Sequence, residues 1–551
     1  MRMIERRVGL LFAAFLLLFA LILARAVWLQ GVRGAELRAD AVSQQTDTVT
    51  VPGFRGRILD RNGDPLAVSE DAATVFATPY QVSDPADAAR RLSPVLDVPQ
   101  DALLDGLSDR ESGFAYLRRE VDLTTAERVR KLHIDGIGIL PDARRVYPQG
   151  ELASQVIGVV GTENQGLTGL ESQYEDLVRG SDGEAKITRD ALGDTIERET
   201  VQGETTGEDL KLTIDAELQS RTEDVLAELG QTYDPAGATA VIMDPRSAEV
   251  LALANWPPAD PADVGEASQE ELANHATGFT YEPGSTFKAF TVAAALEEDV
   301  VEPDTVFELP PSIQVADRVI EESHPRGTVS LTVADILAQS SNVGAVKVGL
   351  TTGPKKFDKW VRRFGFAEPT GIDFPGEERG IVPAVDDYSG STLGNLPIGQ
   401  GLSVTPIQMA AAYSAIANGG TLRAPRLVIE EGGERVDPPR GRRVLDQRTA
   451  ARVREMLEGV LAPGGTAAEV KVPGYTLAGK TGTAQKAEDG GYSETDFVAS
   501  FVGFAPVRYP QFLVAIVVDE PQGSYYGGDV AAPAFGEIAE FALPHLGIPP
   551  S

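Results

Sequence analysis

A chain of 551 residues is too long for one ordinary domain, and an apolar fraction of 42% with 24% charged residues is that of folded protein rather than long disorder. Lys and Arg number 49 against 82 Asp and Glu, and the resulting charge of −33 excludes a phosphate-backbone partner, so no nucleic acid is expected. With no cysteine there is no disulfide framework, no Cys nucleophile and no thiolate metal site, and the 4 histidines lie too far apart for a zinc site.

Val8 to Ala24 is an uncharged apolar run, extended past Arg25 by Ala26-Val-Trp-Leu29. At about 17 residues before that extension it is just long enough to span a bilayer as a helix. Arg2, Arg6 and Arg7 precede it, which puts a tail of residues 1–7 in the cytoplasm, an anchor at 8–30 and the rest outside. A cleaved signal peptide is the competing reading. Against it, the run is long for one, and Arg25 and Trp28 stand where a cleavage site needs small residues. One spanning helix in the cell membrane is expected.

Residues 31–205 read as a strand-rich pedestal without catalytic features. Thr48 to Val51 alternates like a strand, and Asn62-Gly63 between two apolar stretches signals a hairpin turn. Ala86 to Leu96, with Pro94 as kink or stop, and Thr124 to Leu132 have helical spacing. A second domain is expected over 206–551. It opens with the strand-like Leu210 to Asp215 and a helix near Ala216–Leu229, then a hairpin of Ala238–Met243 and Val250–Ala254 around Asp244-Pro-Arg246. Pro257 to Glu271 reads as a loop, and Phe287 to Leu296, apolar on nearly all sides, as a buried helix. Tyr475–Ala484, Phe497–Phe504 and Phe512–Val518 are strand-like; with the hairpin they predict a five-stranded antiparallel sheet flanked by helices, an α+β architecture.

Three short motifs carry chemistry. In Tyr281-Glu-Pro-Gly-Ser-Thr-Phe-Lys288, Ser285 precedes the buried helix and Lys288 follows one turn later. Serine is a poor nucleophile without a base, and a buried lysine with a lowered pKa can be that base. In Gln339-Ser-Ser-Asn-Val-Gly344, Ser340 can relay a proton and Asn342 can bind a substrate amide and Lys288. In Gly479-Lys-Thr-Gly-Thr-Ala484, Lys480, Thr481 and Thr483 can hold a carboxylate, Gly482 allows close backbone approach, and the amides of Thr483 and Ser285 can form an oxyanion hole. Alone each has a bland reading: a cap followed by an exposed lysine, a polar turn, a strand with a glycine. Their combination and order do not.

With these motifs the chain resembles the class B penicillin-binding proteins, Ser341 standing in the middle of the second motif. Arg55-Gly-Arg-Ile-Leu-Asp-Arg-Asn-Gly63, Arg144-Arg-Val-Tyr-Pro-Gln-Gly150 and Gly166-Leu-Thr-Gly-Leu-Glu171 are similar to motifs of that family's non-catalytic domain. Leu396 to Pro406 and Phe501 to Pro506 are similar to stretches of its transpeptidase domain, and the whole points to the division-type subgroup. The resemblance implies a D,D-transpeptidase that cross-links peptidoglycan stem peptides through an acyl-enzyme on Ser285. It also implies acylation by β-lactams, a SEDS-family glycosyltransferase and division proteins as partners, and neither metal nor organic cofactor. A β-lactam-binding scaffold or sensor without turnover is the alternative, and its expected mark, decay of a motif, is missing. A β-lactamase would be smaller and lack the pedestal.

Overall fold

The structure, a computed structural model, describes residues 2–33, 46–189, 195–261, 265, 268, 271–488 and 491–551. Of the loop expected over 257–271, positions 262–264, 266–267 and 269–270 lie outside the described residues, as do 34–45 of the expected pedestal. The chain divides into two compact units, one of Met1–Phe54, Glu70–Arg144 and Gly180–Gly207, the other of Arg55–Ser69, Arg145–Arg179 and Glu208–Ser551.

In the smaller unit, helix α1 (Arg2–Val27) is followed by a wide π turn to Val32. Arg6–Val32 is one helix long and apolar enough to cross a membrane, by length and composition. Strands β1 (Thr46–Val51), β2 (Gly183–Arg189) and β3 (Thr195–Gln202) form an antiparallel sheet in that order. Helices α2 (Pro85–Leu96), α3 (Gln100–Ser108) and α4 (Leu123–Arg130) share a core with Val75 and Leu117 through Leu92, Leu103 and Val129. Pro94 does not stop α2, which runs on to Leu96 and ends where Asp97 turns left-handed at φ 54°.

The larger unit is built on the expected five-stranded sheet. Its strands are β4 (Gly237–Met243), β5 (Val250–Trp256), β6 (Ala478–Glu488), β7 (Gly491–Ala505) and β8 (Phe512–Asp519), in the order β5-β4-β8-β7-β6, all antiparallel. Every residue of β4 is buried, so helices cover both faces. Helices α5 (Ala216–Tyr233) and α10 (Ala531–His545) pack on each other and on the sheet, and α9 (Pro406–Ala417) packs against β4 and β8. α5 starts where Asp215 accepts a hydrogen bond from the Leu218 amide, and α9 where Thr405 and Gln408 form a capping box with Pro406 in the first turn. Helix α6 (Lys288–Glu297), buried from Lys288 to Leu296, runs through the interior as its apolar sequence requires.

Candidate active site

Ser285 lies in a 3₁₀ turn, Gly284–Phe287, that leads into α6. The turn is fixed from several sides. Gly284, at φ +53°, donates its amide to Gly399 O at 3.0 Å; Thr286 Oγ1 donates to Pro283 O at 2.7 Å; Tyr413 of α9 donates its hydroxyl to Thr286 O at 2.6 Å. Thr286 and Phe287 are buried while Ser285 is half-exposed, so the hydroxyl is reachable from a rigid base.

Lys288 is 1% exposed. Its Nζ donates to Ser340 O at 2.6 Å, to Asn342 Oδ1 at 2.7 Å and to Ser340 Oγ at 3.3 Å. Burial strips water from the ammonium and pushes its pKa down to about 7, against an opposing attraction from Glu322 and with a smaller downward push from Arg326. The described hydrogen bonds thus join Lys288 to Ser340 and Asn342; none involves Ser285 Oγ.

The second motif joins helices α7 (Val333–Ala338) and α8 (Asn342–Thr352). Ser340 is held at φ 59°, a left-handed conformation costly for a side chain-bearing residue, which aims its carbonyl at Lys288. Ser341 caps α8 through the Gly344 amide. Two residues missed from sequence brace this corner. The Glu322 carboxylate accepts from Ser341 Oγ at 2.6 Å, the Asn342 amide at 3.0 Å and Arg326 at 2.5 Å, and Arg326 donates to Ser341 Oγ at 2.8 Å. Glu321-Glu-Ser-His-Pro-Arg326 reads as a solvated charged loop, and no local signal marks its glutamate as a brace.

The third motif lies on β6, the edge strand, which packs against the Ser285 turn. Gly482 makes that packing possible, since a Cβ there would fall 2.3 Å from Ser500 Oγ, 2.9 Å from Thr286 Cγ2 and 3.0 Å from Pro283 O. Lys480 is fully buried, donating to Thr481 O at 3.0 Å and Thr481 Oγ1 at 3.3 Å, and burial first and the Lys288 charge second push its pKa well down. The Thr481 hydroxyl meets that of Thr466 at 2.6 Å, and Thr483 Oγ1 accepts from the Gly527 amide at 3.0 Å. The three motifs therefore meet at one place: Lys288, one turn after Ser285, binds Ser340 and Asn342, and β6 packs on the Ser285 turn. Among the described residues no group of three or more His, Cys, Asp or Glu is placed to hold a metal ion.

Residues 238–540 match the family described as "Penicillin binding protein transpeptidase domain" and residues 50–212 the "Penicillin-binding Protein dimerisation domain". The chain is 36% identical to Stage V sporulation protein D of Bacillus subtilis, with 97% of this chain and 86% of that one covered. It is 32% identical to peptidoglycan D,D-transpeptidase FtsI of Escherichia coli, over 99% and 93%. A crystal structure of penicillin binding protein 3 of Mycobacterium tuberculosis complexed with ampicillin superposes with a TM-score of 0.71 at 29% identity, covering 91% of this chain and 97% of that one.

Proposed function

The chain belongs to the class B penicillin-binding proteins and is a serine-type D,D-transpeptidase, and on that footing we propose that Ser285 is its nucleophile and Lys288 the base that activates it. The observation that carries this reading is the buried Lys288 amine, held between Ser340 and Asn342 one turn from Ser285, with its pKa down to about 7. Neutral Lys288 takes the Ser285 proton as Oγ bonds to the penultimate D-Ala carbonyl carbon of a donor peptide. The tetrahedral oxyanion lies against the Ser285 and Thr483 amides. As it collapses, the peptide C–N bond breaks, and the proton passes from Lys288 through Ser340 to the leaving D-Ala. An amine of a neighbouring stem peptide then attacks the ester, forming the cross-link and freeing Ser285. Lys480, Thr481 and Thr483 hold the donor's terminal carboxylate, Gly482 lets the peptide lie close to β6, and Asn342 orients an amide of the donor.

We read residues 1–7 as a cytoplasmic tail, 8–30 as a single-pass anchor, 31–205 as the pedestal and 206–551 as the transpeptidase domain, outside the membrane. Septal wall synthesis beside a SEDS-family glycosyltransferase and division proteins is the role this organisation supports best. Labelling with fluorescent penicillin, followed by peptide mapping, tests the core of the reading. A stable adduct on Ser285 that Ser285→Ala lacks is expected, and an adduct on another residue would overturn the assignment.

A further inference from the structure

Pro463-Gly-Gly-Thr466 lies 15 residues before Thr481 and reads in the sequence as a plain turn. In the structure it follows the helix Gln447–Glu458, which packs on β6. Two main-chain hydrogen bonds pin the turn on either side of Thr466. The Gly465 amide donates to Ala462 O at 2.9 Å, and the Ala467 amide donates to Val460 O at 3.0 Å. The packing has no slack: a Cβ on Gly465 would fall 2.2 Å from Val460 O, and one on Gly528 would fall 2.6 Å from Thr466 O. Gly528 follows Gly527, whose amide binds Thr483 Oγ1. Thr466 is thus held rigidly at the edge of the third motif by two separate stretches of backbone.

Thr466 is exposed and Thr481 is buried, and their hydroxyls meet at 2.6 Å. Between two hydroxyls either oxygen can donate, and the surroundings decide which one does. The Thr481 hydroxyl has one O–H and two lone pairs, and Lys480 Nζ donates to one of those at 3.3 Å. If Thr481 donates to Thr466, its only proton is taken and it offers none to a ligand. If Thr466 donates instead, it fills the second lone pair of Thr481 and leaves the Thr481 O–H free. An ionised carboxylate accepts and never donates, so a carboxylate held by Thr481 selects the second arrangement. The two hydroxyls then form a chain, Thr466 to Thr481 to carboxylate, in which each bond polarises the next.

We infer that Thr466 is a positioning residue for the donor's terminal carboxylate: its hydroxyl donates to Thr481 Oγ1 and so turns the Thr481 O–H toward the carboxylate. It acts through Thr481. This rests on the reading of Lys480, Thr481 and Thr483 as the groups that hold that carboxylate.

A double-mutant cycle on the full-length chain in detergent tests this, with the second-order rate of Ser285 acylation by benzylpenicillin, itself a carboxylate, as the readout. Thr466→Val keeps the shape and removes the hydroxyl, and it should slow acylation by about tenfold, the range of one lost hydrogen bond. Thr466→Ser, which restores the hydroxyl, should react within about twofold of the unaltered chain. In a Thr481→Val background, where the chain of hydroxyls is already broken, Thr466→Val should change the rate by less than about twofold. A role in merely shaping the turn predicts the same tenfold loss in both backgrounds, and that result would overturn the proposal. So would an unchanged rate in Thr466→Val alone, or a Thr466→Ser rate as low as that of Thr466→Val. Should Thr466→Val not unfold cooperatively on heating, Thr466→Ala replaces it in the cycle with the same expectations. Thr481→Val reacting as fast as the unaltered chain is a separate result, which removes Thr481 from the carboxylate site and with it the parent reading.

Discussion

Lys288 is asked to be a base, and its surroundings set the pH at which it can be one. With a pKa of about 7 it is half neutral near pH 7. The rate of Ser285 acylation by penicillin should therefore rise with pH between about 6 and 8 and level off above. Lys288→Arg stays protonated at any of these values and should lose about 10²-fold or more in rate. Glu322 bears on this from behind. Its charge favours the ammonium form, so Glu322→Gln should move the midpoint of the rate profile to lower pH. The maximal rate should also fall, because Ser341 and the Asn342 amide lose a charged acceptor. A purely structural brace would lower the rate without moving the midpoint, so the pH–rate profile separates the two roles.

The Ser285 turn and β6 act as a pair only because nothing intervenes at Gly482. Gly482→Ala must push the strand off Thr286 and Pro283, and a misplacement of about 1 Å suffices to cost 10²-fold in rate. Penicillin acylation should fall by about that factor while the protein still unfolds cooperatively on heating, and an unchanged rate would mean that the close packing is irrelevant to the chemistry. The motif was legible in the sequence, as were the sheet and the buried α6. The limits of β6 were not. Tyr475 to Ala484 is the apolar stretch, yet the strand runs from Ala478 to Glu488, where Ala487 and Glu488 pair with Tyr492 and Gly491. That extension is held by main-chain pairing in a half-exposed ribbon, which leaves no hydrophobic pattern to read. The turn at Asn62-Gly63 differs for a related reason. It is longer than two residues, because the Asp60 carboxylate accepts from the Asn62 and Asp64 amides at 2.7 and 2.8 Å and organises the loop between Ile58–Leu59 and Pro65–Ala77. Glu322 was illegible because it stands 19 and 20 residues before Ser341 and Asn342 and meets them only in the folded structure.

Compactness does not follow chain order. Arg55–Ser69 and Arg145–Arg179 belong to the same unit as Glu208–Ser551, and three of the family-like motifs lie in or run into them. Ile58, Leu66, Val156, Ile157, Leu170 and Val178 are almost wholly buried in the core that also holds Leu210, Leu226 and Val241. Arg55 and Glu171, both fully buried as side chains, pair at 2.7 Å; Glu171 also pairs with Arg145 at 2.6 Å, and Arg55 with Glu175 at 2.8 Å. Removing one member leaves a buried charge uncompensated, so Glu171→Gln should destabilise this unit by about 3–5 kcal/mol. The Ala153 amide is held at 2.8 Å by Glu223 of α5, a carboxyl that burial pushes up to about 7. Its folded pKa is raised above the unfolded value, so its contribution is complete below about pH 4.5 and is lost as pH rises through 7. Glu223→Gln, which stays neutral, should accordingly raise the thermal midpoint at pH 8 by about 2–4 °C and leave it nearly unchanged at pH 5. A fragment of residues 208–551 keeps all three catalytic motifs but loses the apolar side chains of both earlier segments. We expect it to be aggregated or molten and not to react with penicillin, whereas residues 46–551 should fold and take the label. Efficient labelling of the shorter fragment would mean that the earlier segments are appended to the transpeptidase core rather than part of it.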